Sequence, residues 1–225
     1  AVALLGMAGG ATAATTADLS VVGTIKSPAC GVVLDGGGIV DFGNISRTLL
    51  KPAESAAIGA KDIAATVTCT DDTLVLLKVV DNKEADKPTG NMTVKFEGSS
   101  VPGTDGSHAP ANLLGLGQSH AGTPIGAYAL AFGPPDVDGI TATYIYANND
   151  GAISYDNYST TALHFRGNTN VYFGANTGGG ANLNMPGKVH KFPMAVAVSL
   201  DKSGNIPGDA DVSLDGSATL EVVYL

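Results

Sequence analysis

Apolar residues recur at every second position from one end of this chain to the other, and that period limits what it can fold into. "TADLSVVGTIKSPAC" (16–30) carries Leu19, Val21 and Ile25, with Gly23 inside the alternation. "KDIAATVTC" (61–69) sets Ile63, Ala65, Val67 and Cys69 on one face, and "PMAVAVSL" (193–200) does so with Met194, Val196, Val198 and Leu200. "ATLEVVYL" (218–225) repeats the pattern with Ala218, Leu220, Val222 and Tyr224. A repeat of two is the side-chain period of a β-strand half-buried in a sheet. Thirty glycines, eleven prolines and no tryptophan punctuate it, as expected of many short strands joined by turns.

Further strands are expected over 38–45, 73–81 and 91–98, and around "TALHFR" and "VYFG" (161–174). "PIGAYALAF" (124–132) and "TATYIYA" (141–147) read as a hairpin across the turn "GPPDVDG". Only 49–65 has helix-like composition. Pro52 and Gly59 interrupt it, so it reads as a loop leading into a strand. Gly-rich stretches at 98–107 and 174–187 read as loops. With no repeat and no linker, the expectation is one all-β sandwich with long insertions in 98–190.

The net charge is −9, with twelve Lys and Arg scattered along the chain. A nucleic-acid or anionic-membrane surface needs clustered cations, so neither partner is expected. The opening "AVALLGMAGGATA" has the form of a signal-peptide apolar region and A-x-A site. Cleavage is expected after Ala13, leaving Ala14 first and residues 1–13 as a leader remnant, in an exported protein. Cys30 and Cys69 fit one disulfide. Two free thiols or half a metal site are the alternatives, and neither CxxC nor a neighbouring histidine favours the metal.

No catalytic pattern emerges. His108, His120, His164 and His190 are widely spaced, without metal-ligand spacing. "YANNDG" (146–151) places Tyr146 where a calcium loop needs its first oxygen. "SLDK" (199–202) matches Ser-x-x-Lys but lies at a strand end without its partner motifs. Asp136 and Asp138 flank a turn, where Asp is common. No enzyme and no cofactor is expected.

The ends carry the functional signal. The last strand reads to Leu225, so a sandwich needing one more strand there would have an open groove and an unpaired edge. Strand addition from another copy could fill it. The leader ending in A-T-A, "ATTADLSVVGTIKSPAC", a second cysteine 39 residues on, "LLGLGQ", "YIYANNDGAISY" and the terminal "ATLEVVYL" together resemble a chaperone–usher pilin. In particular they are similar to a fimbrial-type family of Gram-negative bacteria labelled a domain of unknown function. One position departs: Val212 stands where type 1-like pilins carry glycine, with glycines at 208 and 216.

The resemblance implies an incomplete immunoglobulin-like sandwich, residues 28–225, completed by a donor strand from a neighbouring subunit. Residues 14–27 would be the donor arm, inserting Leu19, Val21 and Ile25, with Gly23 over a shallow pocket. Ala218, Leu220, Val222, Tyr224 and Leu225 would form the acceptor strand, the Leu225 carboxylate being gripped first by a periplasmic chaperone before transfer at an outer-membrane usher. The product would be a homopolymeric fimbria on the cell surface, supporting adhesion or biofilm formation. The chain would be a shaft subunit with a possible surface receptor. Two alternatives are a self-complemented secreted module that binds carbohydrate through Tyr128, Tyr144, Tyr146, Tyr155 and Tyr158, and an exported hydrolase.

Overall fold

The computed structural model describes residues 19–24, 28–149, 155–159, 163–165, 171–177, 185–206, 208 and 211–224. The strands are β1 (Cys30–Leu34), β2 (Ala56–Thr73), β3 (Val75–Asp81), β4 (Met92–Val94), β5 (Gly106–His108), β6 (Leu114–Gly115), β7 (Gly126–Phe132) and β8 (Asp136–Val137). They continue as β9 (Ile140–Thr141), β10 (Tyr144–Asn149), β11 (Tyr155–Ser159), β12 (Leu163–His164), β13 (Val171–Asn176), β14 (Gly187–Leu200) and β15 (Ala218–Tyr224).

Two antiparallel sheets form the sandwich. The first runs β1-β2-β14-β7-β12, with β6 on the free side of β7 and the β8–β9 hairpin at the start of β14. The second runs β11-β10-β13-β3-β15. Between them lies the main core, where Val67, Leu77, Phe132, Phe173, Phe192 and Met194 are buried. Phe132 of the first sheet stacks on Phe173 of the second, ring centroids 4.1 Å apart. Among the described residues no helix is long and apolar enough to cross a membrane.

The outer face of the first sheet is also buried. Ala60, Ala127, Ala129, Ala131, Ala195 and Ala197 lie flat beneath Met92, Val94, Phe96, Val101 and Leu113. Alanine alternates with large residues along β7 and β14 because the two faces differ. Tyr128, Leu130 and Phe132 fill the wide inter-sheet space, while small side chains let the 92–113 excursion lie close. The expected strand at 91–98 therefore shortens to β4, which pairs with β5 as a separate layer. Residues 98–190 supply β7, β10, β12 and β13 to the sandwich as well as its excursions.

Three expectations are corrected. The strand expected over 38–45 does not form, and the stretch 49–65, read as a loop leading into a strand, is already strand from Ala56, where Leu200 at the end of β14 is the ladder partner. The 124–132/141–147 hairpin does not form. β7 pairs with β14 in the first sheet, and β10 lies in the second. Pro134 and Pro135 carry no N–H and end β7. The reversal is confined to Asp138 (φ 51) and Gly139 (φ 85), the left-handed pair of a two-residue hairpin between β8 and β9. The Asp138 carboxylate accepts the N–H groups of Lys188 and Val189, which hold it below the usual carboxylate range.

Cys30 and Cys69 are bonded, settling the alternatives the sequence left open; they face each other across β1 and β2, Cα atoms 4.1 Å apart. Replacing both with alanine should cost about 4 kcal/mol for a loop of this size, read as a lower denaturant midpoint. Asp62 on β2 anchors the outer layer by accepting from Ser99 Oγ and from the N–H and Oγ of Ser100. Burial pushes its carboxyl up, but those hydrogen bonds outweigh it and the net shift is downward from 3.8. Its contribution is therefore present above the unfolded value and lost as pH falls through the lower folded one. Asp62→Asn should be less stable than the parent at pH 7, and chemical denaturation should show the gap closing below about pH 4.

Candidate functional site: an open cleft and an exposed arm

The main core is not sealed along one side. Phe42, Ile45, Leu50, Val212, Leu214, Leu220 and Val222 pack against it while remaining only partly buried. Between residues 39–50 and 211–214 the opening widens to a cleft of about 980 Å³, floored by Ile125, Leu200 and Ile206. One wall continues into β15, an edge strand that pairs with β3 from Ala218↔Asp81 to Tyr224↔Val75 and with no other strand among the described residues. Arg47 of the 39–50 wall reaches the floor, donating to the Ile206 carbonyl at 3.4 Å, and on β15 Glu221 is exposed and pairs with Lys78 at 3.3 Å.

The wall at 211–217 is fastened from behind. Asp215 donates its N–H to the Leu116 carbonyl at 3.0 Å and pairs its carboxylate with Lys83, while Asn82 donates to the Ser217 carbonyl at 3.0 Å. The 82–87 turn that makes these contacts is ordered by Asp81, whose carboxylate accepts the N–H groups of Lys83 (2.8 Å) and Gly115 (3.0 Å). Burial holds the Asp81 carboxyl above its usual range. Gly115 is required there, since a Cβ would lie 1.9 Å from the Lys83 carbonyl oxygen. Opposite, Lys61 secures the other wall, with Nζ 5.6 Å above the Phe42 ring and donating to the Asp41 carbonyl.

The predicted site residues fall into two groups. Leu220 and Val222 line the open side, Ala218 is exposed, and Tyr224 contributes its backbone to the β3 ladder. Leu19, Val21 and Val22 are 90%, 89% and 90% exposed, residues 19–24 form no strand, and nothing lies within 4 Å of a Cβ built on Gly23. Ile25, Leu225 and residues 1–18 lie outside the described residues. The wall at 39–50 was missed, because the strand expected over 38–45 is irregular chain. Val212 and Leu214 were legible: the apolar period of β15 runs back through Gly216 to Val212, the position that departs from the pilin pattern.

The histidines and the serine singled out in the sequence lie away from the cleft lining where they are described. Ser199 of the Ser-x-x-Lys pattern is fully buried. His190 is buried, its Nε2 within 3.0 Å of the Thr73 and Gly187 carbonyls. His108 and His164 both bond Thr104, at its carbonyl and N–H. Tyr128, a carbohydrate contact only in the alternative binding-module reading, is buried in the main core, and burial pushes its hydroxyl well above the usual range. The side chains of Tyr144, Tyr146, Tyr155 and Tyr158 lie outside the described residues. Among the described residues no three His, Cys, Asp or Glu side chains are placed to hold a metal ion.

Comparison with known proteins adds sequence relatives. No solved structure matches the chain. Protein GltF of Escherichia coli (strain K12) is 25% identical over 238 residues, spanning 96% of this chain and 91% of the relative. Uncharacterized protein YhcF of the same organism is 25% identical over 229 residues, spanning 96% and 93%. The family described as "Protein of unknown function (DUF1120)" matches residues 19–129, just under half of the chain, from the exposed arm through both cysteines to β7.

Proposed function

We propose that this chain is a structural subunit of a cell-surface fimbria that polymerises by donor-strand exchange. The observation that carries the reading is a pairing of opposites within one molecule: a core left open beside β15, which pairs only with β3 among the described residues, and Leu19 and Val21 of the alternating stretch standing in solvent. Each feature alone is a liability in a lone protein. Together they are complementary surfaces at different places on the chain, and such a heterologous contact propagates into a filament instead of closing.

The energetics have the right scale. Burying Leu19, Val21 and Ile25 in a neighbour would contribute roughly 5–9 kcal/mol, with backbone bonds to β15 adding about 0.5–1.5 kcal/mol each. The arm then belongs to the neighbour's core, so release requires partial unfolding and the joint is kinetically durable. Gly23 would stand in the alternation over a shallow pocket of the neighbour's groove, where a larger side chain would collide with the core. During assembly a periplasmic chaperone lends the missing strand until an arm replaces it at an outer-membrane usher. This places the chain in the periplasm on export and on the cell surface in its finished form.

Light scattering and negative-stain microscopy of the purified chain test the proposal. Removing residues 14–27 should abolish polymers while leaving the β-sheet circular dichroism intact, and Gly23→Leu should block assembly in the same way. Filaments formed by the arm-deleted chain would sink the reading.

A further inference from the structure

At the end of the first sheet where β2 begins and β14 finishes lies a second cavity, of about 530 Å³, in the size range of small-molecule sites. Four stretches far apart in sequence wall it: 53–55 ahead of β2, 87–93 leading into β4, Pro124, and the 201–205 turn after β14. Hydrogen bonds fasten these walls to their surroundings and to one another. The Thr93 N–H donates to Ser55 Oγ at 2.8 Å, the Asp201 N–H to the Ile125 carbonyl at 2.9 Å, and the Thr123 hydroxyl to the Asn205 carbonyl at 2.8 Å. The cavity is therefore formed before anything enters it, which lowers the ordering cost of binding.

The lining is polar and carries no net charge, since Glu54 and Asp201 are balanced by Lys87 and Lys202. Glu54 pairs with Lys51 at 2.8 Å, and Lys87, its side chain 8% exposed, pairs with Glu84 at 2.7 Å. The Asp201 carboxylate accepts the Lys202 N–H and the Asn205 amide. Neutral groups are left to meet a ligand. Met92 is buried in the outer-layer core, so the alternation turns Asn91 and Thr93 outward, to the cavity. Among the described residues the side chains of Thr89, Asn91 and Thr93 make no hydrogen bond, and beside them Pro88 and Pro124 present rigid apolar surface.

We propose that this cavity binds a neutral mono- or disaccharide. An amide and two hydroxyls supply the paired donors and acceptors that sugar hydroxyls match, and proline rings pack against the C–H face of a pyranose. The balanced charge gives phosphorylated or acidic ligands no attraction. The cavity shares no lining residue with the apolar cleft, although Asn205 of the one adjoins Ile206 of the other, so an arm seated in the cleft leaves the cavity free. The inference goes beyond the fimbrial reading and does not depend on it.

The test is NMR titration of the full chain with glucose, galactose, mannose, N-acetylglucosamine, maltose and lactose, with N-acetylneuraminic acid and glucosamine as charged comparisons. The expected result is that at least one neutral sugar shifts the amide signals of residues 89–93 and 201–205, and that the charged sugars do so more weakly. Two substitutions at exposed positions supply a second measurement. Nothing lies within 4 Å of a Cβ built on Gly90, so Gly90→Trp has room to project into the cavity and should abolish binding. Asn91→Ala should weaken it about tenfold, the loss of one or two neutral hydrogen bonds. Neither should move the thermal midpoint or the filament assembly read by light scattering. Absence of shifts with every neutral sugar, shifts confined to other residues, or binding that survives Gly90→Trp would overturn the proposal.

Discussion

The central strands of the first sheet, β14 and β7, have two apolar faces to hide, and the architecture follows from that requirement. β14 is the central case. Met194, Val198 and Leu200 fill the space between the sheets, while Ala195 and Ala197 on the same strand lie under the 92–113 layer. Burial of both faces fixes the register of β2, β14 and β7, because a slip of one residue would exchange large side chains for alanines throughout. The disulfide at the start of β1 ties this edge strand to the adjacent β2, where Cys69 is buried. These constraints close the molecule on three sides.

The fourth side stays open for a reason visible in the strand order. β1 and β15 end their respective sheets, and the chain between them in space, residues 39–50, joins neither. Phe42, Ile45, Val212 and Leu214 therefore approach the core without sealing it. The opening is a formed one. Asp81, Asn82 and Lys83 secure the wall at 211–217, and Lys61 secures the wall at 41–42, so polar contacts placed behind each wall keep the apolar surfaces apart. Among the described residues this site presents shape, partly buried apolar side chains and the edge backbone of β15, the features on which the proposed strand addition rests.

Much of the fold was legible in the residues. Alternation identified β2, β14 and β15, a continuous apolar run marked β3, and the alternating residues Leu220 and Val222 fall on the open side of the core. What alternation could not report was which sheet a strand enters. β7 and β10 look like hairpin partners, but Pro134 and Pro135 break the ladder and the chain crosses to the other layer. The alanines of β7 and β14 likewise gave no sign of a third layer, since a small residue fits a close-packed face as well as an exposed one.

The sequence by itself determined that this chain is a strand former with two cysteines, no clustered positive charge, and an N-terminal alternating stretch containing a glycine. Those properties depend on residue type and spacing along the chain. Only the tertiary structure decided that the core opens between residues 39–50 and 211–214, that Tyr128 is internal, and that residues 38–45 form no strand despite their composition. The reason is that pairing and burial are properties of neighbours. A residue's own chemistry allows a strand, but whether a strand forms depends on what lies within hydrogen-bonding distance on either side.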